Sequence, residues 1–262
     1  MAATVPQVVE LTAPPAWRTV DFISDLHLHA SEPATFTAWQ HYMQSTPADA
    51  VFILGDLFEV WVGDDAFSAP LQAPAATFED SCAQVLGRTA GRLPVFFMHG
   101  NRDFLVGQRL MSLTCTTLLD DPTVLMFQDQ RWLLSHGDAL CLDDVDYMRF
   151  REQVRSPQWQ QAFLATPLAE RQAVARGLRA QSEARKQSGA AYADVDAAAA
   201  RSWLQAAGAL TLVHGHTHKP ATHDLQNGLQ RVVLSDWDAT ANPPRAEVLR
   251  LSAGQLLRIS LL

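Results

Sequence analysis

Ala50-Val51-Phe52-Ile53-Leu54-Gly55-Asp56 is an apolar run closing on a glycine and a carboxylate. The run is too short for a buried helix and suits a strand covered on both faces, as in parallel sheets flanked by helices. Gly55 lets the backbone turn tightly, and Asp56 then stands at the carboxyl end of the strand, where α/β sheets gather ligands. The same pattern recurs at 18–24 before Asp25-Leu26-His27 and at 93–98 before His99-Gly100-Asn101-Arg102-Asp103. It returns at 131–135 before His136-Gly137-Asp138 and at 209–213 before His214-Gly215-His216-Thr217-His218.

Between these strands, residues 34–44 and 77–88 carry helical periodicity. Runs at 124–127 and 131–135 flank Gln128-Asp129-Gln130 and predict a hairpin. Further strands are expected at 231–234, 246–251 and 256–259. Strands alternating with helices, followed by more strands, predict an α/β sandwich of mixed β-sheets. Residues 142–205 have no strand-like run. They read as a helical insertion within a single domain, placed to cap the site. Ser156-Pro157 and Thr166-Pro167 each predict an N-cap followed by proline at the first helical position. Trp159, Ala162 and Phe163 fall on one face of the first such helix, Val174 and Leu178 on one face of the next.

Composition narrows the function classes. The chain has 262 residues, 48% of them apolar, enough for one large α/β domain with an insertion. A formal net charge of -8 argues against broad binding to a nucleic-acid backbone. Cys82, Cys115 and Cys141 have no CxxC spacing and are expected to be reduced thiols in a cytoplasmic protein. The first residues lack the basic start and apolar run of a secretory signal, and no stretch is apolar enough to span a bilayer.

The polar clusters supply metal-ligand chemistry. Asp25 and His27 are two apart, and point the same way if strand geometry continues past residue 24. Asp56 has two oxygens and could bridge two cations. Asn101 offers a neutral carbonyl oxygen, and His136, His216 and His218 offer imidazoles. His216 and His218 could face different metals. Two divalent cations roughly 4 Å apart serve phosphoryl transfer: they acidify a water, hold it in line with phosphorus and neutralise phosphate oxygens. A mixed nitrogen and oxygen set suits manganese, iron or zinc. Singly, each piece has a plainer explanation. An aspartate at a strand end is usually a turn or cap residue, a lone histidine there a hydrogen-bonded surface residue, and Gly-Asn a turn. Five such clusters, each after a strand, are hard to obtain from turn chemistry alone. His29, His99 and His214 lie beside the constellation without being required by it, and are expected to pack or hydrogen-bond around it.

The motifs Asp25-Leu26-His27, Gly55-Asp56, Gly100-Asn101, His136 and Gly215-His216-Thr217-His218 resemble those of the calcineurin-like metallophosphoesterase family. The resemblance implies a sandwich of two β-sheets flanked by helices. It implies one metal on Asp25, His27, Asp56 and His218, and a second on Asp56, Asn101, His136 and His216. The runs around Asp56, Asn101-Arg102-Asp103, Ser135 to Cys141 and His214 to Pro220 are similar to one branch, the UDP-2,3-diacylglucosamine diphosphatases. That branch implies two Mn2+ per chain and attack by metal-activated hydroxide on the phosphorus nearest uridine. It also implies a place on the cytoplasmic face of the inner membrane, in peripheral contact with its surface. Substrate contacts carried over are Asn101, Arg102, Asp144, Ser182, Lys186 and His216. Lys186 takes the place of a polar residue of the branch, and the branch's cap lysine falls on Gly189, so Lys186 or Arg185 is left to supply that charge. Asp56, Asn101 and Arg102 are the expected catalytic residues, with Arg102 stabilising charge on phosphate oxygens; its plainer alternative is an ion pair with Asp103 or another acid.

Residues 141–205 hold nine Lys plus Arg against eight Asp plus Glu, a local charge of +1, and the rest of the chain carries -9. A relatively basic cap suits an anionic substrate and an anionic membrane surface. Trp159, Phe163, Leu164 and Leu168 could line an acyl groove or touch lipid, or equally form the packing between cap helices. Two other function classes stand beside the lipid-precursor diphosphatase: a soluble phosphodiesterase or phosphatase acting on another ester, and a non-catalytic metal-binding scaffold. A complete ligand set speaks against the last.

Overall fold

The computed structural model describes the backbone of residues 5–67, 71, 74–187 and 193–262, and their side chains except those of 178–187. In chain order the elements are β1 (Val9–Thr12), β2 (Thr19–Ile23), α1 (Pro33–Ser45), β3 (Ala50–Leu54), α2 (Phe78–Ala90), β4 (Val95–Met98), α3 (Gln108–Thr114), β5 (Thr117–Leu119), β6 (Thr123–Phe127), β7 (Gln130–Ser135), α4 (Val145–Arg155), α5 (Pro157–Leu164), α6 (Leu168–Gln187), α7 (Ala197–Ala207), β8 (Thr211–His214), β9 (Ala221–Asp224), β10 (Gln230–Val233), β11 (Glu247–Ser252) and β12 (Gln255–Ser260).

Two mixed six-stranded sheets result, ordered β12-β11-β2-β3-β4-β5 and β1-β6-β7-β8-β10-β9. In the first, β2 to β5 pair in parallel. In the second, β7, β8 and β10 do so. The period-2 alternation of strand side chains divides the core into layers. Ala50, Phe52 and Leu54 face the opposite sheet, joining Phe22 and Phe96 of their own sheet and Leu125, Phe127, Leu134 and Val213 across from them. Val51 and Ile53 face outward onto Trp39, Met43, Val85 and Leu86 of the covering helices. On the far side, Ala199, Ala200, Trp203 and Leu204 of α7 pack with Val124, Leu133 and Leu212. The Phe52 and Phe96 rings stack 4.6 Å apart between the sheets, and truncating either to alanine would cost about 3–5 kcal/mol.

Local chemistry accounts for the boundaries. Gln128 and Asp129 both take positive φ, giving the two-residue turn whose twist matches the β6–β7 hairpin. Ser156 caps α5 by accepting the Trp159 amide, with Pro157 at the first helical position. Thr166 does not repeat this pattern. Its hydroxyl donates to the Phe163 carbonyl, one of the acceptors left over where α5 ends. The expected strand at 18–24 stops at Ile23, which changes how Asp25 and His27 meet.

Within the insertion, Trp159 and Phe163 stack on each other, and Trp159 lies against Phe104. Both pack on the edge of the main core and not in a separate core between the cap helices. Leu164 and Val174 stay exposed. Leu178, Ser182, Arg185, Lys186 and Gly189 lie outside the residues whose side chains are described.

Candidate active site

All five loops that follow β2, β3, β4, β7 and β8 converge at one end of the sandwich. Asp25 and His27 do not meet by strand alternation. Each takes a left-handed backbone, as do Asp56, His216 and His218. Positive φ is uncommon outside glycine, though Asp and His tolerate it better than most, and such residues cluster at functional sites. The loops are tied edge to edge. The Asp25 amide donates to Gly55 O and the His27 amide to Asp56 O, while the Gly215 amide donates to His136 O. Glycine is required where these loops touch: a Cβ at Gly100 would strike the Asp56 carboxylate and amide, and one at Gly215 would strike Ser24 and Asp25.

The candidate ligands face one another. His27 Nε2 and His218 Nε2 are 3.2 Å apart, and His218 Nε2 is 3.4 Å from Asp25 Oδ1. Asn101 Oδ1 lies 2.8 Å from His216 Nδ1 and 3.0 Å from His136 Nε2. Asp56 Oδ2 sits between the two halves, 4.0 Å from His27 Nε2 and 3.8 Å from His136 Nε2. Among the described residues two groups have donor atoms close enough to share a cation: Asp25, His27 and His218, and Asp25, Asp56 and His136. Donors each about 2.1 Å from one cation and at right angles stand about 3 Å apart, and opposed donors about 4 Å. The donor spacings therefore fit divalent cations.

Electrostatics agree. Burial alone would lower His136, but the carboxylates of Asp56, Asp138 and Asp25 outweigh it and push the imidazole up to about 9. Burial likewise opposes His218, and its hydrogen bond and charge pairing with Asp25 raise it. His216, buried beside the positive His136, falls to about 4. A buried cluster of carboxylates that draws protons onto neighbouring imidazoles will draw cations in their place.

Residues behind the candidate ligands set their orientation. His136 Nδ1–H donates to Leu54 O at 2.9 Å, which turns Nε2 inward. His218 Nδ1 is 3.8 Å from Asp236, which Arg245 holds through two contacts of 3.1 and 2.9 Å. Asp103, fully buried, accepts from the amides of Gly100 and Leu57 at 2.8 Å, Asp56 at 3.3 Å and Phe58 at 3.4 Å. It fastens the Asp56 loop to the Asn101 loop. Asp138 accepts from Tyr147 Oη at 2.6 Å and Arg151 Nε at 2.8 Å, and lies 3.6 Å from Arg155. Arg155 in turn donates to Gly100 O at 2.9 Å. One stripe of α4 thus seats the insertion on the ligand loops, and the Tyr147 ring stacks on His216.

Sequence reasoning passed over Asp103, Asp138 and Asp236 as partners of the ligands. The first two stand in runs it quoted, but residue type does not reveal orientation. Arg102 stands at the rim. Its amide donates to Asp56 Oδ1 at 2.8 Å and its guanidinium is 3.8 Å from Glu59, not paired with Asp103. Asp144 caps α4 by accepting the Tyr147 amide. His29, His99 and His214 bond to Ser31, Val106 O and Gly215 O, outside the cluster.

A family model described as calcineurin-like phosphoesterase matches residues 18–220. Curated relatives named UDP-2,3-diacylglucosamine hydrolase include one from Chromobacterium violaceum, 48% identical over 83% of this chain and 90% of its own length. Another, from Ralstonia nicotianae, is 43% identical over 90% of each chain. A third, from Xanthomonas campestris, is 41% identical over 91% of this chain and 99% of its own.

Proposed function

The chain belongs to the calcineurin-like phosphoesterase family, and on that premise we propose that it hydrolyses the pyrophosphate bond of UDP-2,3-diacylglucosamine. The products are UMP and 2,3-diacylglucosamine 1-phosphate (lipid X), a step of lipid A biosynthesis. The substrate follows from relatives of that name at 41–48% identity along most of both chains. The observation that carries the chemistry is the meeting of Asp25, His27, Asp56, Asn101, His136, His216 and His218 at donor spacings of 2.8–4.0 Å.

Asp25, His27, Asp56 and His218 would hold one cation and Asp56, Asn101, His136 and His216 the other, Asp56 belonging to both sets. Two Mn2+ fit this set; bound there, they would acidify water and neutralise phosphate oxygens. Asn101 and Arg102 would orient the phosphate nearest uridine, and the Arg102 guanidinium would meet charge developing on its oxygens. The leaving group is a sugar phosphate with a second pKa near 6, so it departs without a dedicated acid. Asp144 and His216, with Ser182 and Lys186 in the sequence of α6, would bind the remainder of the substrate.

No described helix is long and apolar enough to cross a membrane. Val145, Phe150, Leu164 and Val174 are exposed on the helices of the insertion. They support peripheral contact with the cytoplasmic face of the inner membrane, where the acyl chains of the substrate reside.

Product analysis tests the reading. Purified protein with Mn2+ and UDP-2,3-diacylglucosamine in H2(18)O should release UMP carrying the label. Label in the sugar phosphate would move the attack to the other phosphorus. No turnover, alongside cleavage of simple phosphodiesters, would favour a general phosphodiesterase.

A further inference from the structure

Three of the candidate ligand imidazoles turn Nε2 into the cluster, and each then needs an acceptor for its outer Nδ1–H. His136 uses Leu54 O, at 2.9 Å. His218 faces Asp236, a carboxylate held by Arg245. For His27 the facing group is Glu59, with Oε2 3.3 Å from Nδ1. His27 Nδ1 is buried and makes no hydrogen bond among the described residues, the Glu59 carboxylate lying at ion-pair distance from it. Glu59 differs from the other two acceptors in what its second oxygen reaches: Oε1 lies 3.8 Å from Arg102 Nη1. Glu59 is itself fixed from behind, its amide donating to Leu28 O at 3.1 Å beside the bridge between Leu28 and Phe58. Its carboxylate is mostly buried, at 14% exposure, so its charge is weakly screened.

We propose that Glu59 is a positioning residue that joins the ligand His27 to the phosphate-facing Arg102 through the two oxygens of one carboxylate. One oxygen fixes the ring so that Nε2 presents its lone pair to the cation. The other draws the guanidinium to the rim at a set distance from that cation. The inference rests on the proposed two-cation hydrolase reading and adds a residue to it. An alanine there removes both links. A glutamine keeps a carbonyl oxygen able to accept from Nδ1–H, but loses the charge that faces Arg102.

The test uses the full chain as Glu59→Ala, Glu59→Gln, Arg102→Ala and the Glu59→Gln/Arg102→Ala double variant. Mn2+ binding to metal-free protein is followed by calorimetry, and kcat and KM are measured at saturating Mn2+. Glu59→Ala should weaken Mn2+ about 10–100-fold, the usual effect of losing a partner behind a metal ligand. Glu59→Gln should stay within about threefold of wild type in Mn2+ affinity yet lose about tenfold in kcat/KM. In the Arg102→Ala background Glu59→Gln should cost no further activity, because the link it breaks is already gone. Wild-type Mn2+ affinity in Glu59→Ala, or additive losses in the double variant, overturns the proposal. If Glu59→Ala does not fold, the Glu59→Gln cycle still decides. If the wild type fails to cleave UDP-2,3-diacylglucosamine, the functional reading falls, while the Mn2+ titrations still judge the link to His27.

Discussion

Asp103 binds no candidate ligand atom directly, yet its removal should disable the site. Asp103→Ala takes one carboxylate from four amides: Gly100 and Leu57 at 2.8 Å, Asp56 at 3.3 Å and Phe58 at 3.4 Å. The position is fully buried, so water does not replace the lost acceptor. Burial and the neighbouring Asp56 carboxylate push the Asp103 carboxyl up to about 7, so the loss is counted as buried amides left unsatisfied, about 1–3 kcal/mol each and roughly 2–6 kcal/mol for the two short bonds. In a chain of this size each kcal/mol moves the melting temperature by about 2–4 °C, so a fall of roughly 10 °C is expected. The Asp56 and Asn101 loops would also lose their common fastener, and Mn2+ affinity should fall with stability. Scanning calorimetry with and without Mn2+ measures both effects. A variant that melts within about 2 °C of wild type and binds Mn2+ unchanged would refute the view that Asp103 holds the two loops together.

Arg102→Ala should reduce turnover about 10²–10³-fold while metal content stays at the wild-type level, because the Arg102 amide still donates to Asp56; an unchanged rate removes its role. Chelation should abolish activity and added Mn2+ restore it, and full activity in a metal-free preparation contradicts the mechanism. Burial would raise the Asp138 carboxyl, but Arg151, His136 and Arg155 outweigh it and hold it well below the usual range. A native value under the unfolded value of about 3.9 contributes stability that is full above that pH and is lost as pH falls through the depressed native value. Asp138→Asn should therefore melt lower than wild type at pH 7, with the gap narrowing progressively as the pH falls below about 5; a gap independent of pH would contradict this.

The central strands were legible because their apolar runs are long enough to bury both faces, as in Ala50–Leu54 and its neighbours. Strands β1, β5 and β9 were not. β9 reads Ala-Thr-His-Asp and pairs at a sheet edge with little to bury, and β5 is a three-residue strand on the other edge. The short helix α3 offers too few turns for a periodicity to register. At the site, which residue types gather could be read from Asp25, Asp56, Asn101 and the histidines. How they gather could not, because it depends on left-handed backbone at Asp25, His27, Asp56, His216 and His218, a property of tertiary contact and not of residue order. Glu59, Asp103 and Asp138 were in view as letters, but nothing in the sequence tells which carboxylate turns toward a ligand.

Electron paramagnetic resonance of Mn2+-loaded protein most directly tests whether these seven side chains hold two cations side by side. Titration should reach two Mn2+ per chain with the spectrum of an exchange-coupled pair, and Asp56→Ala should lose that coupling along with activity. Only isolated Mn2+ signals at saturation, or a coupled pair that survives Asp56→Ala, would contradict the shared-carboxylate centre.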